Sequence, residues 1–275
     1  MLNDDEPFEI LSPSPAMTAL LSTLEKKLAE LPDPEAKAPG IAWEDLPFVE
    51  FVSAAAKLPL MLMGWAGGEI ARDDVAAGEI LHELSTDFGI MSGEDLDEQL
   101  SLLIEGACSA AEWRRIAEAP TISKFLKNDT LLGWGGFEVE NQDKDLRARL
   151  ERRRMMVDFY RERVDWTGLR APDLLKGAAL LRKAIAADIL PDRDTGLWSA
   201  RIGAELLLRC GSWQGLARAA LMGEVWQGLA QNDRAAADAL TRASAAVDAL
   251  LAPGGAWTLL PWPEQTADAE EPEII

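Results

Sequence analysis

Residues that favour strands are few in this chain: Val and Ile are scarce beside Ala and Leu, and there is one Tyr. Recurrent Ala-Leu-Glu-Arg stretches suit helices instead, so almost no strand is expected. Long apolar runs are also missing. The least charged stretch, "LPLMLMGWAGG" at 58–68, is eleven residues long and holds a proline, well short of the roughly 20 apolar residues that cross a bilayer. The opening "MLNDDEPFEI" is acidic where an export signal needs a basic start and an apolar run. The expectation is a soluble, cytoplasmic protein that does not bind membranes.

Histidine is nearly absent, which removes several chemistries. The one His, His82 in "LHELSTD", is followed four residues on by Thr86, where a zinc-protease helix needs its second His. Glu83 and Asp87 are candidates to join His82 on a metal, and a partly exposed helix histidine is the simpler reading. No Gly-x-Ser-x-Gly elbow exists for a serine hydrolase. The glycine clusters "GWAGG" at 64–68 and "GWGGF" at 133–137 lack the Lys-Ser or Lys-Thr of a phosphate loop. Paired carboxylates such as Asp73 and Asp74, or Asp95 and Glu98, are too abundant for any one pair to indicate acid–base catalysis. Neither a catalytic residue, nor a metal, nor a cofactor is expected. The two cysteines, Cys108 and Cys210, stand far apart in helix-like runs and read as free, buried thiols.

What the chain has in excess is acid. The net charge is −20, and residues 1–142 hold 27 acids against 9 bases while residues 143–275 hold 20 against 18. Such a field repels nucleic acid and anionic lipid and attracts basic surfaces at rates that fall with salt. At 275 residues and 48% hydrophobic composition, the chain also suffices for a large core.

The expected architecture is all-α, a multi-helix bundle with irregular Gly/Trp-containing connections and disordered acidic termini. Residues 1–40 read as an acidic arm, a first amphipathic helix and the linker "LPDPEAKAPG". Residues 41–142 form an acidic helical N-terminal part, and 143–260 a helical C-terminal part packed with it as one domain. The tail 261–275, with five acids, no base and three prolines, cannot build a core. Ser92 with Asp95, and Ser109 with Glu112, have the spacing of capping boxes. Residues 143–164 predict a long charge-laced helix whose ion pairs are solvated. Pro172 suits a first helical turn, Asp194 or Thr195 a cap, Ser212 a cap, and Asp233 the cap of a last helix running to about Leu251.

Starting from Ser212, the run "GSWQGLARAALMGEVW" places Trp213, Leu216, Ala217, Ala220 and Gly223 or Glu224 on one stripe, with Gly223 a notch for a neighbouring helix. Arg201, Glu205 and Arg209 stand four apart on the helix before it. Glu224 is expected to reach Arg170 or Arg201 in a semi-buried ion pair. The alternative is a small polar pocket in which Arg170, Arg201 and Glu224 are walled by Trp198, Trp213 and Trp226.

Three segments follow in order: the aromatic-Gly-Ile of Phe88, Gly89 and Ile90, then Asp165 and Arg170 opening an alanine-rich helix, then Ser212 and Trp213 with Gly223 and Trp226 about ten residues on. This order resembles the bacterial family called domain of unknown function 1266. The resemblance implies a compact helical bacterial domain, often a stand-alone cytoplasmic protein, and implies no activity. The functional expectation therefore comes from charge. It is a non-catalytic interaction protein, immunity-like or adaptor-like, whose acidic half engages a basic protein partner through Asp73, Asp74, Asp95 and Glu98. A small-ligand binder or enzyme using the Arg/Glu/Trp pocket is the alternative.

Overall fold

The structure is a computed structural model that describes residues 11–32, 47–65, 68–70, 74–122, 139–161, 163, 169–190, 192–260 and 262, with backbone alone at 74–76, 139–144 and 192–193. The described residues are helical and include no strand, as the composition requires. The first helices are α1 (Pro15–Glu30), α2 (Phe48–Leu62), α3 (Asp74–Asp87), α4 (Gly93–Ile104) and α5 (Ser109–Glu118). They are followed by α6 (Val139–Tyr160), α7 (Arg170–Ala186), α8 (Asp192–Cys210), α9 (Trp213–Gly228), α10 (Asp233–Leu251) and a short α11 (Ala256–Leu259). The expected linker after the first helix falls largely outside the described residues, as do the acidic arm before residue 11, the "GWGGF" cluster and the tail beyond Trp262.

Helix α7 is the axis of the fold and touches α2, α3, α4, α5, α8 and α9. Its sequence explains this position. Leu174, Leu175, Leu180 and Leu181 alternate with Gly177, Ala178, Ala179 and Ala184, so the helix is buried nearly all round and small residues let its neighbours approach closely. Helices α9 and α10 form a second tight pair. One core of buried side chains runs from Met17 to Trp257.

Several helix starts follow local chemistry. Ser92 Oγ accepts from Asp95 N at 3.2 Å, while the Asp95 carboxylate accepts from Met91 N at 3.0 Å and from Ser92 Oγ at 2.9 Å, a reciprocal cap. Ser212 Oγ accepts from Gly215 N at 2.9 Å and starts α9. Three expected caps are corrected. The cap of α10 is Asn232, one residue before Asp233, because its side-chain oxygen reaches Ala235 N at 2.8 Å. Helix α8 begins at Asp192, so Asp194 and Thr195 lie inside its first turn. The Ser109 box does not form: Ser109 is already helical, and the buried Asp173 carboxylate on α7 accepts from Ser109 N at 3.1 Å and Ala110 N at 3.2 Å. Glu112 turns instead to Arg149 and Arg153.

The solvated reading of the basic helix is also corrected. Arg153 and Arg154 on α6 are buried, and three consecutive arginines serve the carbonyl ends of other helices. Arg152 donates to Leu229 O at 3.0 Å and Gln231 O at 2.8 Å, and Arg153 to Trp226 O at 3.2 Å, all at the end of α9. Arg154 donates to Ile116 O at 3.1 Å and Ala119 O at 2.6 Å, at the end of α5. Guanidinium groups there satisfy carbonyls that lack helical partners and oppose the negative end of the helix dipole.

Candidate interaction surface

From Asp73 to Trp113 the sequence has eleven acids and neither Lys nor Arg. The fold uses some of these acids internally and displays others. Glu83 pairs with the fully buried Lys183 of α7 and ties α3 to the axis. Asp97 accepts from Trp198 Nε1 at 2.9 Å and ties α4 to α8. Asp95 caps its own helix, and these hydrogen bonds hold its carboxyl below its ordinary pKa. Glu94, Glu98 and Glu105 are exposed and share the outward face of α4, spaced four and seven residues apart. Two apolar side chains join that face, Met91 at 80% exposure and Leu102 at 37%.

The sequence-expected acids therefore have different places. Glu98 stands on the exposed face, Asp95 is half-buried in the cap, Asp73 lies outside the described residues, and Asp74 opens α3 with its side chain undescribed. Glu94 and Glu105 were not singled out from sequence, although their helical spacing from Glu98 was available there. Met91 and Leu102 become legible as a surface only once the buried face of α4, formed by Leu96, Leu100, Leu103 and Ile104, is known.

The six residues of the expected C-terminal pocket are distributed among five environments. Trp198 packs toward α4 through Asp97, and the Arg201 guanidinium lies over its ring at 4.5 Å. Trp213 belongs to an aromatic cluster, stacked on Trp257 at 5.1 Å and edge-on to Trp262, with Phe51 beside it and its Nε1 bonded to Leu260 O at 2.7 Å. Trp226 packs on Trp113 at 5.2 Å under the Arg153 guanidinium at 4.5 Å. Arg170 donates to Ile104 O and lies 3.2 Å from Glu205.

Glu224 forms neither of its expected ion pairs. Burial raises its pKa, with only the charge of Arg242 opposing. The notch expected at Gly223 is present, because a Cβ there would run into the Pro172 ring of α7.

His82 is exposed on α3, and among the described residues no three His, Cys, Asp or Glu side chains are grouped so as to hold a metal ion. Both cysteines are free. Cys108 is exposed, contrary to expectation, because it lies in the connection before α5; Cys210 is half-buried, and burial pushes its thiol pKa up to about 12. Among the described residues no helix is long and apolar enough to cross a membrane.

A family model described as "Protein of unknown function (DUF1266)" matches residues 83–262, a span that includes the outward face of α4, the axial α7 and the α9–α10 pair. No curated protein and no solved structure matches the chain. The matched span exceeds half of the sequence, and the chain belongs to the DUF1266 family.

Proposed function

We propose that this chain is a non-catalytic interaction protein of the bacterial cytoplasm that binds a basic protein partner, in the manner of an immunity or adaptor protein. The observation that carries this reading is the outward face of α4, where the exposed acids Glu94, Glu98 and Glu105 are interspersed with the exposed Met91 and Leu102. Carboxylates interspersed with apolar side chains suit a partner surface that mixes basic and apolar groups. The disposition of the bases supports it further. The stretch from Asp73 to Trp113 has neither Lys nor Arg of its own, and Arg152, Arg153, Arg154 and Lys183 direct their donors to contacts within the fold. Attraction of a basic protein and repulsion of nucleic acid both follow from such a field.

The test is differential capture from a lysate of the source organism, using wild type and the triple variant Glu94→Gln, Glu98→Gln, Glu105→Gln. These side chains are exposed, so the variant keeps its helical circular dichroism and melting temperature. A basic protein retained stoichiometrically by wild type and lost by the folded variant is the expected result. Equal retention by both, or no retained protein, overturns the proposal.

A further inference from the structure

Two guanidinium groups of this acidic chain share a single carboxylate. Glu205 and Arg209 stand four apart on α8, with Arg209 Nε at 2.9 Å and Nη2 at 2.8 Å from Glu205 Oε2. Arg170, in the first turn of α7, brings its Nη2 to 3.2 Å from the same oxygen while donating to Ile104 O at the end of α4. Glu205 is the one carboxylate bonded to both guanidiniums; a second, Asp173, accepts from the amides of Ser109 and Ala110 and attracts Arg170 electrostatically.

The donors are only partly used. Each guanidinium has five N–H groups in a planar fork. Among the described residues the acceptors meet Arg170 at Nη2 alone and Arg209 at Nε and Nη2. Arg170 Nε is buried without a hydrogen-bond partner against Gly106, whose lack of a side chain makes room for the guanidinium, so the donors a ligand can reach are those of the Nη groups. The side chains are 13% exposed for Arg170, 16% for Glu205 and 22% for Arg209, so the triad is sheltered but reachable from solvent.

We propose that Arg170 and Arg209 form a binding site for one small oxyanion, the phosphate or carboxylate group of a small molecule. Such a group offers the acceptor edge that a guanidinium fork matches, in a partly desolvated position where a charge-assisted hydrogen bond is strong. The site differs from the acidic face of α4 in chemistry, and it stands whether or not that face binds a protein. It also replaces the expected pocket partners of Arg170, since Glu205 and Arg209 take the places given to Glu224 and Arg201.

The experiment is calorimetric titration of the full chain with inorganic phosphate and, in a second arm, with acetate, both at constant ionic strength set by sodium chloride. The arm that saturates identifies the group. Arg209→Gln is the main variant, because the contacts described for Arg209 are to Glu205 alone, whereas Arg170 also holds the end of α4. The expected result is saturable binding to wild type, weakened at least tenfold by Arg209→Gln and tightened several-fold by Glu205→Gln, which frees both guanidiniums. Arg201→Gln, on the same helix but stacked on Trp198, leaves binding unchanged. Absence of saturable binding in both arms, or equal binding by wild type and Arg209→Gln, overturns the proposal and leaves a purely structural ion triad.

Discussion

Gly223 and Glu224 are neighbours on α9 that meet burial in different ways. Gly223 faces the Pro172 ring at the start of α7, so Gly223→Ala forces two axial elements apart. Overpacking of this kind costs about 1–3 kcal/mol, and the drop in melting temperature measures it. Glu224 is a carboxylate whose pKa is raised by burial. A group that holds its proton more tightly when folded binds more protons in the native state than in the unfolded one. Stability therefore falls as the pH rises from the ordinary carboxylate range through the raised folded value. Glu224→Gln removes that slope, so the variant gains stability relative to wild type as the pH goes from acid to neutral, as read by denaturant unfolding. An unchanged difference across that range would show that Glu224 ionises as freely in the folded chain as in the unfolded one. Both residues were visible in the sequence as part of one stripe, and the notch at Gly223 followed from helical spacing. The partner of Glu224 did not, because a charge on a helix face says nothing about which of several distant arginines the fold brings near.

At the scale of helices, the ends are where sequence and structure part. Ser92 with Asp95, and Ser212, cap their helices through residues three apart, and such local devices can be read directly. Asp173 caps α5 from α7, 64 residues away from Ser109, and no local pattern announces it. The same holds for the arginines of α6, whose roles depend on where α5 and α9 end. Arg153 is 2% exposed, pairs with Glu112 and covers the Trp226 ring. Arg153→Met keeps much of the apolar volume but leaves Glu112 with Arg149 and the Trp226 carbonyl without its donor. Breaking a buried pair from one side costs about 3–5 kcal/mol, to be read from chemical denaturation. Arg147→Gln, on the exposed Arg147–Glu151 pair of the same helix, should change stability little. Equal effects of the two substitutions would mean that α6 is held by its apolar face alone.

Across the whole molecule, an uneven sequence becomes an uneven surface. The all-helical class was legible from the shortage of strand-favouring residues, and the acidic excess from a count, but neither revealed which acids face outward. Folding assigns Glu83, Asp95, Asp97 and Glu112 to internal tasks and exposes Glu94, Glu98 and Glu105 beside Met91 and Leu102. It also draws several bases of α6 and α7 into capping and pairing. Asp73 and Asp74 belong to the same acidic stretch of sequence. The most direct measurement of the central claim is the association rate of the captured partner with wild type and with the Glu94→Gln, Glu98→Gln, Glu105→Gln variant, across a series of sodium chloride concentrations. An acidic docking face predicts a wild-type rate that falls steeply with salt and a variant that is slower at low salt and nearly flat. Coincident curves for the two proteins would contradict it.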